Sequence, residues 1–383
     1  MRKIIIVVDT ARGWGRQFLH GVEKYMSTRG DWVVRIQPPG YINTTSRENS
    51  SWLALHDADG IIAGDIRFIS EAMRLNIPKI LHDARCDKIP GASTMYTDSI
   101  STGKMAAEYF FSLGFKNYAY CGFEGLVWSQ KRLKGYKSQL GEWGITEVHD
   151  YNQWKPSGAG LDTERWNISE WLKTLPKPVC VFACNDDRGI NVLEACQIAG
   201  IKVPEEVAVL GVDNDELMCD ISFPPLSSIE LNFRKAGFNA AKLLDEIIDN
   251  GNIGRDIIVP PISLIERQSS DVLAIEDENV IKALVFIRQN FQEAIQVSDV
   301  VEKTTSSRRD LEIKFKKMLK RSIKDEILRL RIDSLKKRLV STNEPLYAIA
   351  NSLKYTDPEH FSRFFKSAAG ISPSKYRSKL GVQ

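Results

Sequence analysis

Short runs of β-branched residues alternate with helical patterns along residues 1–268, and this alternation limits the possible folds more than any other feature of the chain. Residues 4–8, for example, precede a predicted helix at 15–29, and another helix is predicted near residues 49–56. Strands that alternate with helices form parallel sheets with helices packed on their faces. Roughly ten such strands exceed one comfortable sheet, so we predict an α/β core of two lobes.

The charges of the chain are divided unequally between its two ends. Residues 279–383 contain 22 Lys and Arg but 11 Asp and Glu, a net charge of +11, whereas residues 1–278 carry a net charge of −8. A basic domain beside an acidic body indicates that one part contacts a polyanion and that the other part has a different task.

The composition and the motifs exclude several classes of protein. No stretch reaches the ~18 consecutive apolar residues that a membrane-spanning helix needs, so we expect no membrane partner. The six cysteines match no zinc or redox spacing and predict reduced thiols in a cytoplasmic protein. None of the five histidines pairs with another at the spacing of metal ligands, and neither a phosphate loop nor a nucleophile elbow occurs. We therefore predict no catalytic residues, no enzymatic activity, no metal site and no cofactor.

Polar residues follow several of the predicted strands, at positions where open parallel sheets bind their ligands. These residues include 9–16, 82–83, 185–187 and 213–214. Carboxylates and amides exchange hydrogen bonds with hydroxyl groups, Arg spans two of them, and an indole ring stacks on the C–H groups of a sugar. The set therefore indicates a carbohydrate ligand. An Asp after a strand is also a common helix cap, and Asp98 and Asp187 fit that alternative well.

Four motifs in the core resemble the sugar-binding core shared by LacI-type repressors and periplasmic binding proteins. They are TDSISTGKMAA at 97–107, KRLKGY at 131–136, ACND at 183–186, and GVDN at 211–214 followed by PPLSSI at 224–229. The resemblance implies a two-lobed, periplasmic-binding-protein-like fold over residues 1–268, with crossovers between the lobes near residues 99, 230 and 256. Residues 256–266 predict a last strand that returns to the second lobe, and 269–278 predict a short polar linker.

The same resemblance implies which side chains bind a sugar. Arg132 corresponds to a ligand of sugar hydroxyls, and Asn185 and Asp213 correspond to hydrogen-bonding partners from the second lobe. Further candidates follow from their places beside the cleft: Trp14, Arg16, Asp83, Trp128, Asp187 and Phe233. Two alternatives stay open, because Arg132 could be a solvated charge on a basic helix face and Trp128 could be a core residue.

The basic tail repeats one plan twice. A short helix, a turn and a second helix are predicted at 297–301, 304–307 and 308–317, and again at 346–353, 354–357 and 358–366. Ser307 and Asp357 are suitable helix caps, and Pro358 suits a first helical turn. A long helix at 324–340 connects the two units. Helix-turn-helix units place their second helix in the major groove of DNA.

The tail resembles the DNA-binding domain of the AraC family, most closely in HFSRFFK at 360–366 and GISPSKYR at 370–377. The resemblance implies an all-α domain over residues 279–383 whose two helix-turn-helix units read adjacent major-groove segments. Its register implies DNA-facing side chains on both recognition helices: Arg308, Arg309, Glu312, Glu359, His360 and Arg363. Thr305 and Lys354 stand where the family has a turn glycine, a replacement that costs about 1 kcal/mol in a left-handed turn, so we expect differently shaped turns.

One family joins the two parts in this order, namely the xylose-responsive transcriptional regulators. The resemblance implies a cytoplasmic homodimer that binds promoter DNA and a monosaccharide such as xylose, acts as an activator, and has RNA polymerase as a further candidate partner. Two alternatives stay open: the same architecture could sense a purine or an amino acid, and the tail could bind nucleic acid without sequence preference.

Overall fold

The computed structural model describes residues 1–36, 57–64, 67–152, 161–251, 255–355 and 357–381. Within these ranges the chain forms two α/β lobes and one all-α domain. The helix predicted near residues 49–56 lies outside the described residues. No helix in the described ranges combines the length and the apolar character needed to cross a bilayer.

The first lobe is built on a parallel sheet of six strands. The strands are β1 (Arg2–Val7), β2 (Trp32–Ile36), β3 (Gly60–Ala63), β4 (Lys79–Leu81), β5 (Ser93–Thr97) and β11 (Ile257–Val259), in the spatial order β11-β5-β4-β3-β1-β2. The apolar run of β1 is buried on both faces, as is typical of parallel strands covered by helices. The covering helices are α1 (Gly13–Arg29), α2 (Ile69–Arg74) and α8 (Phe233–Asn250).

The second lobe contains another sheet of six strands, of which the last is antiparallel to its neighbour. The strands are β6 (Asn117–Cys121), β7 (His149–Tyr151), β8 (Val179–Ala183), β9 (Val207–Val212), β10 (Ser227–Leu231) and β12 (Pro261–Ile265), in the spatial order β12-β10-β9-β8-β6-β7. The helices of this lobe are α3 (Ser99–Ser112), α4 (Val127–Glu142), α5 (Leu161–Thr174), α6 (Asp186–Ala199) and α7 (Glu216–Ile221).

The chain passes between the lobes three times, and these three segments lie side by side. β5 leads into α3 at Asp98, β10 leads into α8 at Asn232, and β11 leads into β12 at Pro260. The Asp98 backbone N–H donates to the Val259 carbonyl at 2.8 Å, and the Asn232 N–H donates to the Pro260 carbonyl at 3.0 Å. We call these hydrogen-bonded crossover segments the hinge, because any opening of the lobes must change their backbone torsions.

The prediction of a single strand over residues 256–266 is wrong. The structure divides this run into β11, which pairs with β5 in the first lobe, and β12, which pairs with β10 in the second lobe. Pro260 lies at the break and Pro261 opens β12. Proline cannot donate a ladder hydrogen bond, so a break at this pair is physically favoured.

The carboxyl-terminal domain contains seven helices within the described residues: α9 (Glu278–Asn290), α10 (Val297–Glu302), α11 (Arg308–Leu319), α12 (Ile323–Ser341), α13 (Leu346–Ser352), α14 (Pro358–Ala369) and α15 (Pro373–Leu380). They form two hydrophobic cores, one for each helix-turn-helix unit. Ile323 and Ile327 of α12 belong to the first core, and Leu335 and Leu339 belong to the second. The long helix therefore joins the two units by contributing side chains to both cores.

The helical domain packs against the second lobe. Residues 269–278 connect the two bodies, and Ser269 is fully buried there, where its Oγ donates to the Val209 carbonyl at 2.7 Å. Helix α12 contacts β12, and Arg288 of α9 lies 3.6 Å from Glu266 at the end of β12. The connection is thus a packed segment rather than a solvated tether.

Candidate functional site

A cleft of about 740 Å³ lies between the two lobes, at the carboxyl ends of strands from both sheets. Seven of the nine side chains predicted to bind a sugar line it: Trp14, Trp128, Arg132, Asn185, Asp187, Asp213 and Phe233. Several of them follow β1, β8 and β9, which end at the cleft, as open parallel sheets place their ligand sites.

Arg132 extends from α4 into the cleft with 2% of its surface exposed. Its Nη1 donates to the Cys184 carbonyl after β8, and its Nη2 lies 3.4 Å from Asp213 Oδ1 after β9. The guanidinium carbon lies 4.8 Å from the centre of the Trp128 ring, one helical turn earlier. Burial and these contacts rule out the alternative that Arg132 is a solvated surface charge.

Aromatic rings form one wall of the cleft. Trp14 at the start of α1 and Phe233 at the start of α8 pack with ring centres 5.5 Å apart, and His82 lies 6.0 Å from Trp14. All three belong to the first lobe, whereas Trp128 belongs to the second. Flat aromatic surfaces suit the C–H faces of a sugar ring.

Two carboxyl groups of the second lobe have strongly raised pKa values. Burial raises the pKa of Asp186 to about 8, with the nearby Asp213 carboxylate as the second cause. Burial likewise raises the pKa of Asp213 to about 6, although the Arg132 guanidinium opposes this rise. At neutral pH Asp186 is therefore mostly protonated and Asp213 mostly ionised. Despite these acids, the described part of the chain contains no group of three or more His, Cys, Asp or Glu that could hold a metal ion.

The backbone at Asp213 is strained. Asp213 has a φ of 105° and Asn214 has a φ of 49°, both in the region that non-glycine residues rarely adopt. Hydrogen bonds hold this turn: the Asp213 N–H donates to the Ile229 carbonyl at 2.8 Å, and the Asn214 N–H donates to Ser228 Oγ at 3.0 Å. Strain of this kind persists where the surroundings impose it and is common at ligand sites.

Contacts across the cleft hold the two lobes together in this structure. Arg12 Nε donates to both carboxylate oxygens of Asp187, at 3.0 and 3.1 Å. Asp215 accepts from the Gly13 N–H at 2.7 Å and from Arg16 Nη2 at 3.0 Å. Because the donors follow β1 in the first lobe and the acceptors belong to the second lobe, the cleft is in a closed arrangement.

Two of the predicted residues, Arg16 and Asp83, do not line the cleft. Arg16 makes the contact with Asp215 just described. Asp83 is buried and accepts hydrogen bonds from the Arg85 N–H at 2.9 Å and from Arg85 Nη2 at 2.7 Å. Its neighbours His82 and Ala84 line the cleft instead. Successive residues of an extended segment point to opposite sides, which explains why the position beside Asp83 reaches the site.

Six further polar residues line the cleft: Asp9, Arg12, Arg67, His82, Asp186 and Asp215. Asp9, Arg12, His82 and Asp186 lie in the strand-end segments that the sequence indicated, although they were not among the nine predicted ligands. Arg67 and Asp215 lie outside those segments. His82 directly follows β4, Asp9 lies two residues after β1, and Asp186 lies three residues after β8, where open parallel sheets place their ligand sites. Asp215 lies three residues after β9, one residue beyond the segment indicated by the sequence, and its carboxylate accepts hydrogen bonds from Gly13 and Arg16 of the opposite lobe.

Asn185 has a double role in the second lobe. Its Oδ1 accepts from the Arg188 N–H at 3.0 Å and thereby caps α6, while its Nδ2 lies 3.4 Å from Asp187 Oδ2. A ligand would therefore meet the amide nitrogen of Asn185 rather than its oxygen. Asp98 also caps its helix, by accepting from the Ser101 N–H at 3.1 Å, as the alternative considered for it requires.

On α11, Leu311 and Phe315 are fully buried in the first core, which leaves another face of the helix exposed. The exposed face carries Arg308, Arg309 and Glu312. Arg308 Nε donates to Glu312 Oε1 at 3.0 Å. An exposed pair of this kind contributes less than about 1 kcal/mol, so both side chains can rearrange when a ligand approaches.

On α14, Phe361 and Phe365 are buried in the second core. Glu359, His360 and Arg363 are exposed on another face of the same helix. Each side chain predicted to face DNA is thus exposed on the second helix of a helix-turn-helix unit, where major-groove contacts are made.

The two turns that lack glycine differ from each other. Lys354 has a φ of 60°, so the second turn keeps the left-handed conformation in spite of its lysine. Thr305 is not in the left-handed region. The Oδ1 of Asn279 on α9 instead accepts from its N–H at 2.9 Å and from its Oγ1 at 3.0 Å. The expectation of a differently shaped turn therefore applies to the first unit alone.

Arg331 of α12 ties the two units together. Its Nε donates to the Phe291 carbonyl at 2.7 Å and its Nη2 donates to the Glu293 carbonyl, both in the segment after α9. Its guanidinium carbon lies 5.5 Å from the ring centre of Tyr355, in the second turn, and that ring stacks on Phe364 of α14 at 5.4 Å. One side chain therefore bridges the first unit and the second recognition helix.

Comparisons with known proteins identify both parts of the chain. The family model of a periplasmic binding protein-like domain matches residues 107–270, and that of a helix-turn-helix domain matches residues 300–379. The xylose operon regulatory protein of Escherichia coli strain K12 is 27% identical over 392 residues, covering 98% of this chain and 96% of that protein. The chain is a homologue of the xylose operon regulatory proteins. The xylose operon regulatory protein of Haemophilus influenzae is 26% identical over 390 residues, covering 98% of each chain, so the predicted similarity to xylose-responsive regulators is confirmed.

Solved structures share the fold of the regulator. A xylose-binding transcription activator matches with a TM-score of 0.61 and 24% identity, covering 99% of this chain and 98% of that chain. A LacI family transcriptional regulator from Enterococcus faecalis V583, solved with bound ribose, matches with a TM-score of 0.57 and 22% identity, covering 72% of this chain and 100% of that chain. The predicted fold class, a two-lobed α/β core joined to a helical helix-turn-helix domain, is confirmed.

Proposed function

We propose that the regulator binds D-xylose or a closely similar monosaccharide in its cleft, and that occupancy of the cleft changes how its helix-turn-helix units bind promoter DNA. The observation that carries this proposal is the buried guanidinium of Arg132, held beside the Trp128 ring and the Asp213 carboxylate between two lobes. The names of the relatives support the same ligand, since they are xylose operon regulatory proteins and a xylose-binding transcription activator.

Each part of the cleft has a task in holding a sugar. Arg132 donates to hydroxyl groups, and Asp213 accepts from them while it is ionised. Asn185 donates through Nδ2. Trp14 and Phe233 cover a C–H face of the sugar from the first lobe. A ligand that contacts both lobes stabilises the closed arrangement over an open one, and this differential affinity is what lets a sugar act as a signal.

The helical domain supplies the DNA-binding side of the proposal. Arg308, Arg309 and Arg363 donate to base edges, most favourably to O6 and N7 of guanine, while Glu312, Glu359 and His360 contact neighbouring bases or adjust the arginines. The lysines of the domain contact phosphates. Such contacts raise affinity for every sequence and make it depend on salt.

In the same proposal the regulator is a cytoplasmic homodimer without enzymatic activity. Its two copies occupy repeated half-sites, because symmetric dimers and repeated sites match in geometry. It activates transcription, and RNA polymerase is the partner that activation requires. Sedimentation of the purified chain tests the dimer, and mass spectrometry of D-xylose after incubation with the protein tests the absence of turnover.

Isothermal titration calorimetry of the full chain tests the ligand class. The panel contains D-xylose, D-ribose, L-arabinose and D-glucose, together with hypoxanthine and a set of amino acids. We expect saturable heat with D-xylose and its loss in Asp213→Ala. The exposed Asp162 serves as a matched control, and Asp162→Ala should bind as the parent does. Heat with a purine or an amino acid, and none with any sugar, would establish the alternative ligand class and overturn the proposal.

A further inference from the structure

Asn232 occupies the junction between the hinge, the cleft and the helical domain. It is 3% exposed, and its Oδ1 accepts from the Lys235 N–H at 3.2 Å and so caps α8. Its own N–H donates to the Pro260 carbonyl of the next crossover at 3.0 Å. The following residue, Phe233, lines the cleft. A single residue therefore belongs to two crossover segments and adjoins the aromatic wall.

The remaining donor of Asn232 points into the helical domain. Its Nδ2 donates to the Leu380 carbonyl at 2.5 Å, at the end of α15. The last carbonyl groups of a helix lack partners within that helix, so a donor from another body is a favourable place to satisfy one. The side-chain oxygen of Asn232 thus caps α8 of the first lobe, and its side-chain nitrogen donates to α15, the last helix of the helical domain.

Helix α15 is in turn fastened to the second helix-turn-helix unit. The rings of Tyr376 on α15 and Phe365 on α14 lie 5.3 Å apart, and Arg377 Nε donates to the Leu339 carbonyl of α12 at 3.3 Å. Helix α12 also packs on β12, the strand that begins directly after Pro260. The second unit therefore rests on two segments that follow crossovers between the lobes.

We propose that Asn232 is a positioning residue that transmits lobe closure to the second helix-turn-helix unit through its hydrogen bond to Leu380. In the closed arrangement this bond and the contact of α12 with β12 hold the second helix-turn-helix unit against the two lobes. Opening the lobes changes the torsions at residues 232 and 260, which turns the amide away from Leu380 and releases α15. A sugar that stabilises closure therefore stabilises one orientation of the unit. This inference rests on the proposed function, since it names the contact by which cleft occupancy reaches DNA.

The variant Asn232→Asp tests the inference. Aspartate remains a good helix cap, so α8 keeps its N-terminal hydrogen bond, but the donor to Leu380 is replaced by an oxygen that repels the carbonyl. The matched control is Asn117→Asp, because Asn117 Nδ2 also donates to a backbone carbonyl, that of Pro178 at 3.0 Å, within the second lobe. The variant Asn232→Ser, which can cap α8 but is too short to reach Leu380, should give the same result.

Two affinities are measured for the full chain and each variant. One is the Kd for D-xylose by calorimetry, and the other is the Kd for a duplex that the parent protein selects from a random DNA library, with and without saturating D-xylose. Allosteric couplings typically change an affinity by about 5- to 150-fold, and we expect the parent ratio to lie in this range. In both Asn232 variants the ratio should fall to within about twofold of unity. D-xylose should still bind without DNA, with an affinity that falls no more than a few-fold, because the bond to Leu380 is one of several contacts that favour closure. The free energy of unfolding should fall in both variants, because the Leu380 carbonyl loses its donor, but both should remain folded at the temperature of the titrations.

The outcomes separate the inference from the proposed function. A parent protein whose DNA affinity does not respond to D-xylose would overturn both. A responsive parent whose Asn232 variants respond equally would overturn the inference alone. Loss of D-xylose binding in the Asn232 variants would also overturn it, because Asn232 would then act on the cleft rather than between the cleft and DNA.

Discussion

Replacing Arg132 with methionine separates a sugar-binding arginine from one that only supports the core. Methionine has an unbranched side chain of similar length and can keep the packing against Trp128, but it donates no hydrogen bond. The substitution removes the donor to the Cys184 carbonyl and the cation beside Asp213. The cleft keeps its shape and loses its central guanidinium.

The size of the effect follows from the lost hydrogen bonds. A hydrogen bond to a charged group contributes about 1.5–3 kcal/mol, and each 1.4 kcal/mol is a factor of ten in affinity, so one lost bond to a sugar hydroxyl weakens binding by about 10- to 150-fold. A buried acceptor left without a partner costs about 1–3 kcal/mol, so the free energy of unfolding should fall by that order as well. Without the guanidinium, the pKa of Asp213 should rise further, since Arg132 opposes the effect of burial.

Calorimetry with D-xylose measures the affinity, and urea unfolding followed by circular dichroism confirms that the variant is folded at the temperature of the titration. Lys134 lies on the exposed face of α4, and Lys134→Met is the control for the loss of a positive charge from this helix. A folded Arg132→Met that binds D-xylose within about twofold of the parent, well below the expected loss, would show that Arg132 does not donate to the sugar. The same holds if the control loses as much affinity as the variant.

Five further substitutions have defined outcomes. Arg12→Ala removes a half-exposed ion pair across the cleft, so the D-xylose affinity measured by calorimetry should fall no more than a few-fold and should depend less on salt. A larger loss would show that Arg12 does more than pair with Asp187 across the closed cleft. Arg308→Ala should weaken binding to the selected duplex by about 1–3 kcal/mol with little effect on competitor DNA, whereas Lys317→Ala should weaken both alike, and the reverse pattern would oppose the assigned roles. Burial raises the pKa of Asp186 to about 8, so between about pH 4 and pH 8 the folded protein holds a proton that the unfolded chain has lost. The free energy of unfolding should therefore fall as the pH rises through this range, by up to about 1.4 kcal/mol per pH unit. Asp186→Asn should make the free energy of unfolding, measured in urea, less dependent on pH. An unchanged dependence would contradict the raised pKa of Asp186. Arg331→Ala should lower the free energy of unfolding by about 1.5–3 kcal/mol. DNA sites selected from a library by this variant should show a wider range of spacings between the two segments that the two helix-turn-helix units contact, and an unchanged spacing would show that other contacts fix the units.

The lobes could be predicted from the sequence because their signal is local. Runs such as VCVFA at β8 are apolar throughout, and this pattern needs no knowledge of neighbouring strands. The division of residues 256–266 could not be predicted in the same way. β11 and β12 are both short apolar runs, and only their pairing partners, which lie in different lobes, distinguish them. The proline pair between them was the one local sign of a break.

The cleft shows the same limit at the level of single residues. Asn185 and Asp213 follow buried strands, so their place at the site depends on one strand end each. Whether His82 or Asp83 faces the cleft depends on which side of the extended segment points inward, and residue type does not determine that direction. The contacts that Arg12 and Asp215 make could not be predicted from the sequence, because their partners lie in the opposite lobe.

The helical domain illustrates how a substitution in a motif can have two outcomes. Lys354 and Thr305 both replace a glycine of the related domains. Lys354 adopts the left-handed conformation, at a cost that its surroundings must offset, whereas Thr305 avoids it and is held by Asn279. Since Asn279 lies at the start of α9, 26 residues away in the chain, the residues of the turn do not reveal this hydrogen bond.

In the proposed function, a sugar in the cleft governs DNA binding by the helical domain. The most direct measurement is a titration of D-xylose into the full chain bound to its library-selected duplex, followed by fluorescence anisotropy. We expect a several-fold change in DNA affinity, with a half-effect concentration close to the D-xylose Kd from calorimetry, because coupling between two sites is reciprocal. DNA affinity that stays constant while D-xylose saturates the cleft would contradict the proposed coupling between the cleft and the helical domain.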